Sequence, residues 1–344
     1  MTKILVAMSG GVDSSTTAAI LQKQGYEIQG VTMDLGKFCH STALKDAQKV
    51  AKELNIKHHV LNLEKVFEKE VVQYFAKSYL NGETPNPCAR CNKFIKFNEL
   101  IKFMKKLKCD YLATGHYAKI TKNKEGYKLQ KGKDSFKDQS YFLTMINPEY
   151  LQYIKFPLAN IEKTQTRKTA KTANLSTAEK AESQDICFVQ NGDYQKVIKQ
   201  YYPKCEKSGK IIHINGKELG EHNGIINYTI GQRKGLGIGY KEPLYVIEIN
   251  AKTNNVIVGS FKDLNGSIVN VKEVNFLTKD IEFNKEYELS VKLRFAHKSQ
   301  KAKVVFYKEQ TAEVVLEKQG RAITKGQVCA FYKNSQVIGG GWII

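Results

Sequence analysis

No apolar run in the sequence approaches the roughly 18 residues that a membrane helix requires. The first such run, in MTKILVAMSGG, stops at a glycine turn and reads as a strand rather than a secretory leader, so the chain is expected in the cytoplasm, away from membranes. Acidic residues are scarce: 34 Asp and Glu face 54 Lys and Arg, for a net charge of +20. That imbalance points to a polyanionic partner such as nucleic acid, or simply to a lysine-coated surface. It is uneven, since from Asn92 to Lys131 only Glu99, Asp110 and Glu125 oppose 11 lysines, a local balance of +8 (11 − 3). A disulfide framework is not indicated either. The seven cysteines are odd in number and scattered, and read as reduced thiols open to catalysis or metal binding. Internal repeats and low-complexity tracts are absent.

What is present alternates. Buried-strand patterns at residues 3–8, 28–35, 58–63 and 111–116 are interleaved with helical patterns at 14–24, 43–55, 64–80 and 94–107. Such alternation predicts an α/β domain with a parallel sheet covered on both faces and a ligand at the carboxyl ends of its strands. A polar stretch at 165–182 precedes a short apolar run at 186–189. After Tyr202 the pattern becomes short alternating runs such as IIHI, LYVIEI, YELSVKLRF and AEVVLE, separated by Gly and Asn turns. These predict a small β-rich module followed by a β-barrel. The expected division is a catalytic domain over 1–196, a central β-rich domain over 197–266 and a C-terminal barrel over 267–344.

Ser9-Gly10-Gly11-Val12-Asp13-Ser14-Ser15 sits between the first strand and the first helix. Its glycines allow backbone amides to approach oxygen atoms, and the helix start offers unpaired N–H groups to a pyrophosphate. The Gly-Lys-Ser/Thr ending of a Walker A loop is missing. The motif looks instead like the PP-loop of the ATP pyrophosphatases, which adenylate a carbonyl oxygen and release pyrophosphate; the plain alternative is a glycine turn capping an ordinary helix. Asp13 is an unexpected neighbour for phosphates unless it holds Mg²⁺ or orients a donor. By the same resemblance Met33, near the end of the second strand, matches an adenine contact. Gly115 in Thr114-Gly115-His116-Tyr117 is expected to let backbone approach the nucleotide, and His116 is either a core histidine or a ligand contact.

In Thr84-Pro85-Asn86-Pro87-Cys88-Ala89-Arg90-Cys91-Asn92 two prolines stiffen a loop. Asn92 is the expected cap of the helix pattern starting near Phe94. Cys91 would then lie at a helix N-terminus between Arg90 and Lys93, a setting that lowers a thiol pKa and favours a nucleophile. Half of a zinc site is the competing reading of C-x-x-C, but no second Cys or His pair at short spacing supports it. Cys187, in Ser183-Gln184-Asp185-Ile186-Cys187-Phe188, reads locally as a buried strand cysteine.

SGGVDSS, TPNPCARCN, TGHYA, KDQSYFL, SQDICF and YTIGQRKGLGIG occur in that order, and GGGWI follows near the end. Together they resemble the bacterial tRNA-specific 2-thiouridylases, the MnmA family, over nearly the whole chain. The resemblance implies an ATP-dependent sulfurtransferase acting on the wobble uridine of tRNAs for Lys, Glu and Gln. It implies that Ala7, Met8, Ser9, Gly10, Gly11, Val12, Asp13, Ser14, Met33 and Gly115 bind ATP, with Mg²⁺ as cofactor. Cys91 matches the nucleophile and Cys187 the persulfide carrier, which a cysteine desulfurase or a sulfur-relay protein would load. Asn86, Pro87 and Cys88 match the stretch that meets the target base. His116, Lys137, Asp138, Gln139, Arg294, Phe295 and Gln327 match tRNA contacts, and a monomer is expected to bind the tRNA. One departure is notable: many members carry Asp where this chain has Cys88. Three cysteines, Cys88, Cys91 and Cys187, leave open a minority alternative in which they hold an iron–sulfur cluster.

Overall fold

The computed structural model describes residues 1–38, 41–181, 186–189 and 192–344. Ser183, Gln184 and Asp185 of the SQDICF motif lie outside the described residues.

Five strands form the first sheet: β1 (Lys3–Ala7), β2 (Glu27–Asp34), β3 (Lys57–Asn62), β4 (Tyr111–Ala113) and, after the hairpin described below, β7 (Ile154–Lys155). Their order is β3-β2-β1-β4-β7 and every pairing is parallel. Ile4, Leu5 and Val6 are fully buried, as a strand covered on both faces requires. The order reverses between β1 and β4, so their carboxyl ends open a crevice there. Helix α1 (Val12–Lys23) follows β1 directly. It is buried from Ser14 to Ala19 although four of those residues carry hydroxyls. The hydroxyls of Ser15, Thr16 and Thr17 turn back onto carbonyls four residues earlier, at 2.7–2.9 Å, which makes their burial tolerable. Helix α2 (Ser41–Glu53) lies between β2 and β3.

The long helical pattern after β3 is continuous but not uniform: α3 (Glu64–Phe67), a π-helical stretch Glu68–Gln73, then α4 (Tyr74–Leu80). The next helix begins seven residues before its expected start. It comprises α5 (Pro87–Cys91), a second π-helical stretch Asn92–Lys96, and α6 (Glu99–Lys106). The cap is Asn86, whose side-chain oxygen accepts from the Ala89 amide at 3.1 Å, and Pro87 takes the first turn, where its missing N–H costs nothing. Asn92 is interior to the helical run and donates to the Phe142 carbonyl instead. Strand β4 stops at Ala113, three residues before its expected end. The polar stretch near 165 contains α7 (Lys163–Thr172), which packs against α1, and α8 (Tyr194–Tyr201) follows.

Strands β8 (Gly209–His213), β9 (Glu218–His222), β10 (Tyr245–Asn250) and β11 (Asn255–Gly259) form a separate sheet in the order β10-β11-β8-β9. The last six strands are β12 (Asn265–Phe276), β13 (Glu286–Lys292), β14 (Gln300–Phe306), β15 (Ala312–Arg321), β16 (Val328–Lys333) and β17 (Gln336–Ile343). They run β12-β15-β14-β13-β16-β17, and β17 returns to β12, closing a barrel without a free edge. A hairpin from the first half, β5 (Ala118–Asn123) with β6 (Gly126–Lys131), docks on β17. Leu100, Tyr141 and Leu143 share one apolar cluster with Val328, Ala330 and Trp342, so the α/β unit and the barrel are packed as one body.

Candidate active site

The crevice between β1 and β4 holds the glycine loop. Gly10 has φ +69°, and a Cβ there would collide with the Ala43 carbonyl, so this turn requires glycine. Gly11 is the N-cap of α1 with no side-chain cap bond, which leaves first-turn amides without partners in the helix. Ser14 Oγ accepts from the Ser9 amide at 3.1 Å and donates to the Gly11 carbonyl at 3.0 Å, holding the loop in an open ring. The arrangement suits an anionic pyrophosphate. Ala7, Met8 and Val12 form the strand end and helix start, while Met33 is half-buried near the end of β2.

Asp13 orients donors. Both its oxygens accept from Lys163 Nζ, at 2.6 and 2.7 Å, and Oδ1 also accepts from the Tyr117 hydroxyl at 2.9 Å. Because Lys163 already neutralises it, the loop has no free carboxylate for Mg²⁺. Lys180 reaches back to the Gly10 carbonyl at 2.9 Å and pairs with Asp46 on α2. Sequence reasoning missed both lysines: Lys180 lies in the polar stretch 165–182 and Lys163 just before it, with no motif to mark either.

Gly115 is closely packed on its protein side. A Cβ there would meet Asp13 and Ser14 backbone atoms at 2.8 and 2.9 Å, so its bareness seats the loop after β4 against the start of α1. Gly115→Ala should therefore push the phosphate loop and weaken ATP binding about tenfold, as overpacking costs of about 1–3 kcal/mol imply. Equilibrium titration with ATP checks this, and wild-type affinity would remove the argument.

His116 is wedged between Phe97 and Phe156, at ring distances of 5.7 and 5.9 Å, with Nδ1 2.7 Å from the Thr114 hydroxyl. Burial first, then the Lys96 charge, hold its pKa well below the usual histidine range, so the ring stays neutral. An unfolded histidine takes a proton below about pH 6.5 while this one resists it, so stability falls progressively from about that pH down to the ring's own depressed pKa. The slope from this residue is about 1.4 kcal/mol per pH unit. Urea unfolding at about pH 7 and about pH 5.5 should show a smaller loss for His116→Gln than for the wild type.

Cys88 and Cys91 lie on α5, three residues apart and so on one face. Cys91 ends α5 instead of starting a helix, and the flanking cations turn away from it. The Arg90 guanidinium stacks 3.9 Å over Tyr74 and 4.6 Å over Phe94 and pairs with Glu70, while Lys93 lies over Phe94. Burial therefore pushes the Cys91 thiol up to about 11. Cys88 has an exposed surface but dense protein around it, as at the floor of a recess, and burial raises its thiol as well. Cys187 is exposed in a turn rather than buried in a strand. The next residue, Phe188, packs edge-on to Phe67 and Phe75, and Phe188 and Val189 share an apolar cluster with Cys91. That cluster anchors the Cys187 turn to the body carrying Cys91. Among the described residues no three of His, Cys, Asp or Glu are grouped to hold a metal ion.

The remaining expected contacts are tied into the α/β unit and the barrel. Pro87 is buried, and buried Asn86 is committed to its cap. Gln327 donates to the carbonyls of Thr84 and Pro85 at 2.9 and 3.1 Å, tying the cysteine loop to the barrel. Asp138 is buried and accepts from the Gly132 and Ser140 amides. Gln139 accepts from the Tyr117 amide at 3.1 Å, and Lys137 is half-buried. Arg294 donates to the Ile230 carbonyl and to Thr324, bridging barrel and central module. Phe295 is exposed and packs 4.5 Å from Phe142.

A glycine phosphate loop at the switch point of a parallel sheet, in one body with a closed barrel whose Gln327 is fastened to the thiol loop, defines a PP-loop nucleotide enzyme. Family models match along the chain: a tRNA methyl transferase HUP domain at residues 2–191, a tRNA methyl transferase PRC-barrel domain at 195–260 and an aminomethyltransferase beta-barrel domain at 267–343. The tRNA-specific 2-thiouridylase MnmA of Rickettsia africae (strain ESF-5) is 45% identical over 350 residues, covering 99% of this chain and 96% of that protein. The protein of the same name from Rickettsia typhi (strain ATCC VR-144 / Wilmington) is 45% identical over 353 residues, covering 100% and 99%. The chain belongs to the tRNA-specific 2-thiouridylase (MnmA) family.

Proposed function

We propose that the protein replaces O2 of the wobble uridine with sulfur in tRNAs for Lys, Glu and Gln, by adenylating the base and transferring persulfide sulfur. The observation that carries this reading is the pairing of an open, amide-lined loop at Gly10 and Gly11 with the Cys88–Cys91 face and the anchored Cys187 turn.

The uridine of a single-stranded anticodon loop can be splayed out into the recess at modest cost. Its O2 attacks the α-phosphate of ATP and pyrophosphate leaves, with the amides of the loop and α1 stabilising the departing charge. Cys187 arrives loaded as a persulfide by a cysteine desulfurase or relay protein. The Cys91 thiolate attacks the Cys187 Sγ, forming a Cys91–Cys187 disulfide and releasing hydrosulfide. Hydrosulfide adds at C2, AMP leaves, and an external dithiol returns two electrons to the disulfide.

RNA binding finds support outside the recess. A cleft of about 410 Å³ between the β5–β6 hairpin and the sheet edge is lined by Lys119, Lys122, Lys155, Tyr26, Tyr111 and Tyr127, with no acidic residue in its lining. Lysines and aromatic faces of this kind serve phosphates and stacked bases.

The test is ATP–pyrophosphate exchange and AMP release with and without tRNA, together with nucleoside mass spectrometry after adding a cysteine desulfurase and cysteine. AMP release that requires tRNA, with 2-thiouridine appearing at the wobble position, is the expected result. Adenylation of a small molecule without tRNA would overturn the reading in favour of an amide-forming PP-loop ligase.

A further inference from the structure

Cys91 has to act as a thiolate in the reaction proposed above, yet Arg90 and Lys93, the cations next to it in sequence, are engaged elsewhere. The helix supplies another. In an α-helix the fifth residue onward points about 140° away from the first. After Cys91 the helix widens, and the Phe97 amide bonds the Asn92 carbonyl five residues back at 3.0 Å. A π-turn returns residue i+5 to the face of residue i. Lys96 is that residue for Cys91. It ends the π-helical stretch half-buried, and among the described residues it makes no ion pair with a carboxylate.

We propose that Lys96 is the cation that favours the Cys91 thiolate against burial, a positioning residue that acts through the sulfur and not on the substrate. The groups around Lys96 agree with this. Its charge is felt by Cys91, by Cys88 on the same face of α5, and by His116 from the loop after β4. For both thiols its charge opposes burial, while at His116 it disfavours a second positive charge. A neutral His116 leaves Lys96 as the cation of the cluster. The π-turn thus has a chemical reason: without the extra residue per turn, position 96 would face away from the thiols. Insertions of this kind inside helices are frequent at functional sites.

This inference rests on the reading of Cys91 as nucleophile, but its test does not. Thiolate absorbance of the full-length protein is titrated against pH, each variant being compared with its own Cys91→Ser form so that the difference reports Cys91 alone. Lys96→Gln is expected to raise the Cys91 midpoint by about one pH unit, tenfold less thiolate at a given pH below it. Lys96→Arg should keep the midpoint near wild type, and Lys93→Gln should leave it unchanged. Lys96→Met, which keeps the aliphatic stem, serves the same comparison if the glutamine variant does not fold. An unmoved midpoint in a folded Lys96→Gln or Lys96→Met protein, or an equal shift in Lys93→Gln, overturns the proposal. The pH profile of tRNA thiolation then separates the two ideas. If the titration moves and the profile does not, Lys96 tunes Cys91 but Cys91 is not the nucleophile.

Discussion

Cys91→Ser and Cys187→Ser should each lower tRNA thiolation at least about a thousandfold while leaving ATP affinity unchanged, because removing one member of a reacting pair costs nearly as much as removing both. A serine hydroxyl at position 91 cannot displace hydrosulfide from a persulfide, and a serine at 187 cannot carry one. The bonds of the glycine loop run among Ser9, Gly11 and Ser14 and to Lys180. The two variants should differ in one respect: Cys187→Ser should take no sulfur label from a desulfurase, whereas Cys91→Ser should accept it and hold it. Labelled sulfide on gels, ATP titration and nucleoside mass spectrometry read the three quantities. Near wild-type 2-thiouridine from either variant would end the two-cysteine relay. Cys88→Ser is the informative control, since Cys88 shares the recess without a required step.

Lys163→Met should produce the largest loss outside the thiols. The Lys163 side chain is 10% exposed and Asp13 31%, and without the lysine the Asp13 carboxylate faces the phosphate loop uncompensated. Breaking one side of a largely buried pair costs about 3–5 kcal/mol, and the partial exposure of Asp13 places this one nearer about 2–3 kcal/mol. ATP binding should fall as well, because a bare carboxylate then sits beside a triphosphate site. Asp13→Asn combined with Lys163→Met should recover part of the stability, as the stray charge is gone while the Tyr117 hydroxyl keeps a partner. Urea unfolding of the four proteins measures the coupling. Additive losses would show that the pair does not act as a unit.

The parallel sheet was legible because the apolar run of β1 and the shorter ones within β2 and β4 alternate with helical patterns, a signal that local sequence carries. The glycine loop was legible for the same reason: a strand, two glycines and a helix start are contiguous. The misplacement of Asn92 arose from local rules as well. Asn86 and Asn92 are both good caps by type, and Pro87 in the first turn decided for Asn86. Assigning Arg90 and Lys93 to Cys91 treated neighbours in sequence as neighbours in space. Around a helix they are not: Tyr74, Phe94 and Glu70 hold the Arg90 guanidinium, and Lys93 lies over Phe94.

By itself the sequence determined the order of elements, the presence of a nucleotide loop and the identity of the thiols, because each depends on residues within one turn or one strand. Tertiary structure decided which charges meet. Lys163 reaches Asp13 across 150 positions, Lys180 reaches Gly10 across 170, and Gln327 reaches Thr84 across 243. It also decided that the hairpin β5–β6 extends the barrel, and that Lys96 returns to the face of Cys91 through a π-turn. Coulomb interactions and desolvation depend on distance and surroundings in space, and a chain folded through a parallel sheet and a closed barrel makes most of those neighbours from residues far apart along it.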